Sequence, residues 1–285
     1  SLFLEFPLGI ILWLLLNFFI VLCIQSLQIS LILTFIGGFA GIVTFIFFVR
    51  KNHSNVFSGI KSQRNKSILA LLFCSLLLFP IIVEPLSAWD ARYIWFFQGK
   101  IIYYFKALNI NAGFNLPFLN QYSHLDYPKL FSSLIAQIAF FVGYWNEYLP
   151  KLAIFFIAFP AVFLLFNFAE RSLRFAFLFL LLPLSYYPHL LNGYVDGLLG
   201  FYFSLALLFL GIFFKKGEKE ALFVFFVSSA FLIQLKNEGA VAFLTLIGTL
   251  IIMQYFLKWR RGKNTIKFSR TSLTFLLLII IMLVP

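Results

Sequence analysis

Charge is scarce in this chain. Asp, Glu, Lys and Arg together make up 11% of its 285 residues, less than half the ~25% found in soluble domains. So little polar surface cannot coat a water-soluble fold of this size, which excludes a soluble globular enzyme. Cysteine is equally sparse. Cys23 and Cys74 are the two that occur, and both lie in apolar runs, so neither a disulfide framework nor a zinc site can be built from them. Residues 1–24 lack a basic leading region and a small-residue cleavage site, which argues against a cleavable signal peptide. The sequence opens on Ser1 and stops at Pro285 within an apolar run. Truncation at both ends is therefore expected.

What is present is apolar. Hydrophobic residues make up 62% and aromatic ones 21%, with Phe alone at 42 positions. Yet the formal net charge is +12. These features together predict an all-α, polytopic transmembrane helix bundle. A β-barrel is excluded, because the apolar runs are long and continuous rather than short and alternating. Residues 6–49 carry no charge and hold two helices, 6–24 and 29–49, broken at Gln25-Ser26-Leu27-Gln28. Further apolar runs cover 67–83, 130–149, 151–169, 175–195, 197–214, 221–235 and 239–257, and another begins near 271.

Basic residues cluster in four places: Arg50, Lys51, Lys61, Arg64 and Lys66; Arg171 and Arg174; Lys215, Lys216 and Lys219; and Lys258, Arg260, Arg261, Lys263, Lys267 and Arg270. Cytoplasmic loops carry an excess of Lys and Arg, so these four are expected inside. Spans between them must then be even in number. Three apolar segments lie between Lys66 and Arg171, and one must fail to cross. The 130–149 segment is the expected one, as a re-entrant or interfacial helix, because it contains Ser132, Ser133, Gln137, Asn146 and Glu147 and ends at Pro150. The alternative is that it spans and the Arg171/Arg174 pair lies outside. In the first arrangement the inner face carries the whole positive excess, which suits anionic lipid and needs no nucleic acid. The sequons at Asn52 and Asn65 then fall in an inner loop and are chance matches.

The outer face balances its charges. Arg92, Lys100, Lys106, Lys129, Lys151 and Lys236 meet Glu84, Asp90, Asp126, Glu147, Asp196 and Glu238. Four stretches stand out there. The long loop 84–129 opens with Glu84-Pro85 and Trp89-Asp90. Within it, residues 91–107 can form a helix whose Arg92, Lys100 and Lys106 fall within about 120° of arc, opposite Ile94, Phe97, Ile101, Tyr104 and Phe105. That is the pattern of an interfacial helix. At the loop's end, His124, Asp126, Tyr127 and Lys129 make a polar knot suited to a phosphate, with Lys129 as point charge. The third stretch is Asn192-Gly193-Tyr194-Val195-Asp196, which sets a carboxylate at a membrane boundary. The fourth is Lys236-Asn237-Glu238-Gly239, in a tight turn between two apolar runs.

Each stretch has a plain structural reading, as anchor, solvated loop or turn. Together they place carboxylates and cations at one face, where an Asp can act as general base and cations can stabilise a departing phosphate.

The ordered set Trp89-Asp90, Asp126-Tyr127-Pro128-Lys129, Gly193-Tyr194-Val195-Asp196 and Lys236-Asn237-Glu238-Gly239 resembles the bacterial GT-C glycosyltransferases, relatives of dolichyl-phosphate-mannose–protein mannosyltransferases and lipid A aminoarabinose transferases. The resemblance implies a GT-C-like core over 67–257 with a large first outer loop, 84–129. Residues 1–66 would be an extra N-terminal hairpin and basic loop, and residues 258–285 a basic loop and the start of a further span. It implies transfer of a sugar from a polyprenyl-phosphate donor to a lipid, glycan or protein acceptor, at the outer face of a bacterial inner membrane, with inversion. In this likeness Asp90 is the catalytic base and Asp196 assists. Lys129 binds donor phosphate, and Arg92, Lys100, His124, Asp126, Tyr127, Tyr194, Lys236 and Glu238 line the substrates. Many relatives carry an acid after the first Asp, where this chain has Ala91, so no metal ligand is assigned. A divalent ion remains an open cofactor. Two other readings compete: a secondary transporter using Asp196, His189 and Lys236 as an ion path, and a polysaccharide polymerase or ligase of another fold.

Overall fold

The computed structural model describes residues 2–51, 68, 71, 72, 75, 78–108, 124, 126–169 and 192–261. All regular structure among them is helical, and no strand occurs among the described residues. Part of the expected 67–83 span, most of the 175–195 span, the Asn-rich part of the outer loop, His189, the Arg171/Arg174 pair and the run from 271 lie outside the described residues.

The helices in chain order are α1 (Leu2–Ile24), α2 (Leu27–Lys51), a π turn (Ala91–Trp95) continuing into α3 (Phe96–Phe105), and α4 (Leu130–Val142). A 3-10 turn (Leu149–Lys151) then leads into α5 (Leu152–Phe168), followed by α6 (Asp196–Lys216), α7 (Lys219–Leu235) and α8 (Glu238–Arg261). Residues 78–83 are also helical. Five stretches are long and apolar enough to cross a membrane: Leu4–Ile24, Leu27–Thr44, Leu149–Phe168, Asp196–Lys216 and Glu238–Leu257. The chain is a multi-pass helical membrane protein by these dimensions. α7 has 17 residues, at the short end of the ~17–25 that a span requires.

α4 is different. Its 13 residues reach only about 20 Å at 1.5 Å per residue, well short of a ~30 Å hydrocarbon core. The helix stops because Gly143 adopts φ +90°, and its N–H bonds back to the Ala139 and Phe140 carbonyls. This is the C-terminal glycine stop. The apolar run to residue 149 is therefore a short helix and a turn rather than one long helix.

The chain divides into two compact units, Ser1–Leu198 and Leu199–Pro285. In the first, α1 packs on α2, α4 and α5. The break expected at 25–28 is real. Gln25 takes a left-handed φ of 55° and its side-chain amide caps the Leu22 carbonyl at 2.7 Å. The Trp13 ring fills the place where Gly37 lacks a side chain, since a methyl there would stand 2.7 Å from the ring. An uncharged network ties the hairpin to α4. Asn17 Nδ2 donates to Gln137 Oε1 at 2.8 Å, Gln137 Nε2 returns a bond to Asn17 Oδ1 at 3.1 Å, and Thr34 Oγ1 donates to the same oxygen at 2.5 Å. Among apolar helices such bonds replace the hydrophobic driving force that lipid removes.

α3 and α4 run parallel, shown by the contacts of Gln98 with Ser132, Gly99 with Ile135, and Tyr103 with Phe140 and Gly143. Their approach is close at Gly99, where a methyl would stand 2.6 Å from Ile135 Cγ2. Val21 and Leu27 join Ile101, Ile102, Leu108 and Ala136 in one buried cluster. The apolar side of the 91–107 helix is thus partly protein-facing. Ile94, Ile101 and Ile102 are buried, Tyr104 and Phe105 are exposed, and Arg92, Lys100 and Lys106 form the exposed cationic side. A helix resting only on lipid would bury none of these in protein.

In the second unit, Tyr202 of α6 stacks on Phe231 of α7 with centroids 4.2 Å apart, and α7 packs on α8.

Candidate functional site

Residues 84–96 form the floor of the site. The chain runs without regular structure over 85–88, then turns into helix at Trp89. Asp90 is half-buried, holds ordinary helical angles and makes no capping bond to the π turn that it begins. A π turn adds a residue to the helical register and recurs at functional sites. Here it swings Trp95 into the core, at 1% exposure, while Arg92 and Tyr93 stay outside.

The knot at 124–129 docks on this floor through rings and an amide. Tyr127 stacks between two partners: Trp95, at 5.2 Å and 18°, and His124, at 4.9 Å and 14°. The three rings form a ladder from core to surface. His124 Nδ1 lies 3.8 Å from Asp126 Oδ1, both side chains being well exposed. Gln98, fully buried, lies under the knot. Its Nε2 donates to the His124 carbonyl at 2.9 Å, and its Oε1 accepts from Lys129 Nζ and Ser132 Oγ, each at 3.2 Å. Burial pushes the Lys129 ammonium down to a pKa of about 8, partly opposed by the nearby Asp126 carboxylate. A desolvated ammonium gains from any anion that arrives.

The third stretch, 192–196, lies over the same floor. Asn192 Nδ2 donates to Ser87 Oγ at 3.0 Å, and Asn192 Oδ1 is buried with no hydrogen-bond partner. Gly193 adopts φ +91°, and a methyl on it would stand 2.7 Å from Ala91 Cβ, 3.1 Å from Leu86 and 3.2 Å from Phe96. Tyr194 is half-buried and Asp196 is exposed as the first residue of α6, where a helix N-terminus favours a carboxylate.

Three of the four stretches named from the sequence therefore meet around residues 86–98: Asp90, the His124–Lys129 knot, and Asn192–Asp196. Arg92 projects from the same turn, while Lys100 stands exposed further along α3. The fourth stretch belongs to the second unit. There Lys236 Nζ, largely buried, pairs with Glu238 Oε1 at 3.4 Å. Gly239 lets α8 fold back on α7 so closely that a methyl would land on the Leu232 carbonyl. That geometry makes Lys236–Glu238 a clasp of a tight helical hairpin.

Sequence reasoning missed several residues of the site. Gln98 and Ser132 are polar residues on apolar helix faces, and Ser87 sits in the irregular stretch before Trp89. Lys151 was counted only as an outer-face charge. It is 1% exposed, bonds to the Glu84 carbonyl through Nζ, and stands 5.2 Å from the centre of the Tyr148 ring. It thus ties the start of α5 to the segment leading to Asp90. The one available signal was a Gln inside the helical period of 91–107. No group of three or more His, Cys, Asp or Glu that could hold a metal occurs among the described residues. No step is assigned to a divalent ion. No protein-family model, curated protein or solved structure matches this chain.

Proposed function

We propose that this chain is a membrane glycosyltransferase of the GT-C kind, which takes a sugar from a polyprenyl-phosphate donor and passes it to a lipid, glycan or protein acceptor. The observation that carries the reading is the meeting of Asp90, the Lys129 knot and the 192–196 segment on one floor. In one displacement the acceptor oxygen attacks the anomeric carbon while Asp90 takes its proton. The bond to the phosphate oxygen breaks, and the phosphate leaves with the electron pair, stabilised by Lys129 and His124. Single displacement inverts the anomeric centre. Asp196 orients the acceptor, and the exposed Arg92 attracts the anionic lipid head.

One bond supports the outer-face placement of the site. Leu27 N–H donates to the Lys106 carbonyl at 2.9 Å, so the turn between α1 and α2 lies beside the end of α3. The basic Arg50-Lys51 pair sits at the far end of α2, about 37 Å away along 25 residues. With Arg50 and Lys51 inside, α3 ends at the outer face, and the bacterial inner membrane is the compartment this reading requires.

The test is purified protein in proteoliposomes with a panel of radiolabelled polyprenyl-phosphate sugars. Protein-dependent release of free polyprenyl phosphate together with an inverted glycoside supports the proposal. Sugar or ion movement across the bilayer without glycosidic chemistry would refute it in favour of a transporter.

A further inference from the structure

Resting on that reading of the site, we propose that Gln98 is its positioning residue: a neutral, buried amide that aims the Lys129 ammonium and fixes the 124–129 turn without cancelling the charge, so that the ammonium serves a lipid-linked phosphate. The hydrogen bonds fix which way the amide points. Oε1 must face the two donors, Lys129 Nζ and Ser132 Oγ, and Nε2 must face the His124 carbonyl. The reverse orientation would set an NH2 group against an ammonium. One side chain therefore controls both the cation and the backbone of the turn that carries His124.

A carboxylate at position 98 would bond Lys129 and Ser132 more strongly, since charge-assisted bonds are roughly twice as strong as neutral ones, but it would lose the donation to the His124 carbonyl. It would also neutralise Lys129 in a buried setting. The groups around Lys129 then decide the site. Asp126, on the turn itself, is exposed, and its carboxylate draws on the Lys129 ammonium. Gln98, on α3, is fully buried and carries no charge. Ser132, on α4, is neutral. Gln98 and Ser132 thereby hold Lys129 without adding a negative charge to that of Asp126, which suits preorganised electrostatic stabilisation of an incoming anion.

The experiment compares wild type with Gln98→Glu and Gln98→Met in the full chain, in detergent. Two quantities are read: the pH profile of Lys129 acetylation, quantified by mass spectrometry on its peptide, and the affinity for farnesyl phosphate, with farnesol as control. Wild-type acetylation should rise with an inflection near pH 8, as set by burial. Gln98→Glu should move that inflection upward and Gln98→Met downward, and both should weaken farnesyl phosphate binding at pH 7 by tenfold or more while farnesol is unaffected. An unmoved acetylation profile in both variants overturns the positioning role whatever the donor is. A moved profile with unchanged farnesyl phosphate binding overturns the phosphate assignment, and with it the donor side of the proposed function. Gln98→Met keeps the volume and adds no charge, so it tests the role even if Gln98→Glu does not fold.

Discussion

Replacing Gly193 with alanine should damage this protein more than its small size suggests, and three glycines separate the causes. At Gly193 two costs coincide. A left-handed backbone costs a non-glycine residue about 1–2 kcal/mol, and the φ here is +91°. The new methyl would also meet Ala91 Cβ at 2.7 Å. That carbon is fixed to a helical backbone and cannot rotate away, so the two segments must part, and such overpacking costs about 1–3 kcal/mol. The sum is about 2–5 kcal/mol, a large fraction of the ~5–15 kcal/mol that holds a typical domain. Gly143 isolates the first cost, having φ +90° and nothing within 4 Å of the added methyl. Gly99 isolates the second. Its backbone is ordinary helix, but its methyl would meet Ile135 Cγ2 at 2.6 Å, Ile135 Cβ at 3.1 Å and the Ser132 carbonyl at 3.2 Å. Equilibrium unfolding in mixed micelles, followed by tryptophan fluorescence, should rank Gly193→Ala as most destabilised, near the sum of the other two. Equal stability of Gly193→Ala and Gly143→Ala would refute the packing of residues 192–196 on the Asp90 turn.

Three further outcomes are expected. Lys129 must be protonated to attract an anion, and its pKa is held down at about 8. Binding of farnesyl phosphate, whose own second ionisation lies at about pH 6, should therefore fall as pH rises from 7 through 8, about tenfold per unit above it; a profile flat from pH 7 to 10 would remove Lys129 from the site. Asn17→Leu leaves a buried Gln137 amide without its partner, a cost of about 1–3 kcal/mol. A double-mutant cycle with Gln137→Leu, read in the same unfolding assay, should show coupling of about 0.6–1.7 kcal/mol, as for hydrogen bonds between membrane helices, and additive losses would show that the reciprocal amide pair holds nothing. In a background with Cys23 and Cys74 replaced by Ser, an impermeant thiol reagent added to intact cells should label Lys106→Cys and spare Arg50→Cys; the reverse pattern inverts the topology.

Helix content and most helix limits were legible in the sequence, because runs of Leu, Phe and Ile between charged or polar breaks fix where a helix can stay in lipid. The breaks at Gln25 and Lys106 and the hairpin at Lys236–Glu238 fall where polar residues interrupt those runs. The shortness of α4 was less legible. Residues 141–149 remain largely apolar, and only the left-handed Gly143 stops the helix. Within the site, the charged members were visible because charge is so rare here. Three neutral ones were not. Gln98, Ser132 and Ser87 act through positions that depend on which helix faces meet, and the meeting of α3 with α4 in parallel, through the gap at Gly99, leaves no periodic trace. The Trp95–Tyr127–His124 ladder was hidden for a related reason: one extra residue in a π turn rotates Trp95 inward, and composition does not encode that register shift.

The most direct measurement of the central claim is sugar transfer by Asp90→Asn in proteoliposomes. The substitution keeps size and removes the base, so turnover from a polyprenyl-phosphate sugar should fall by about 10²–10⁴-fold while farnesyl phosphate still binds with wild-type affinity. Turnover at the wild-type rate would contradict the account.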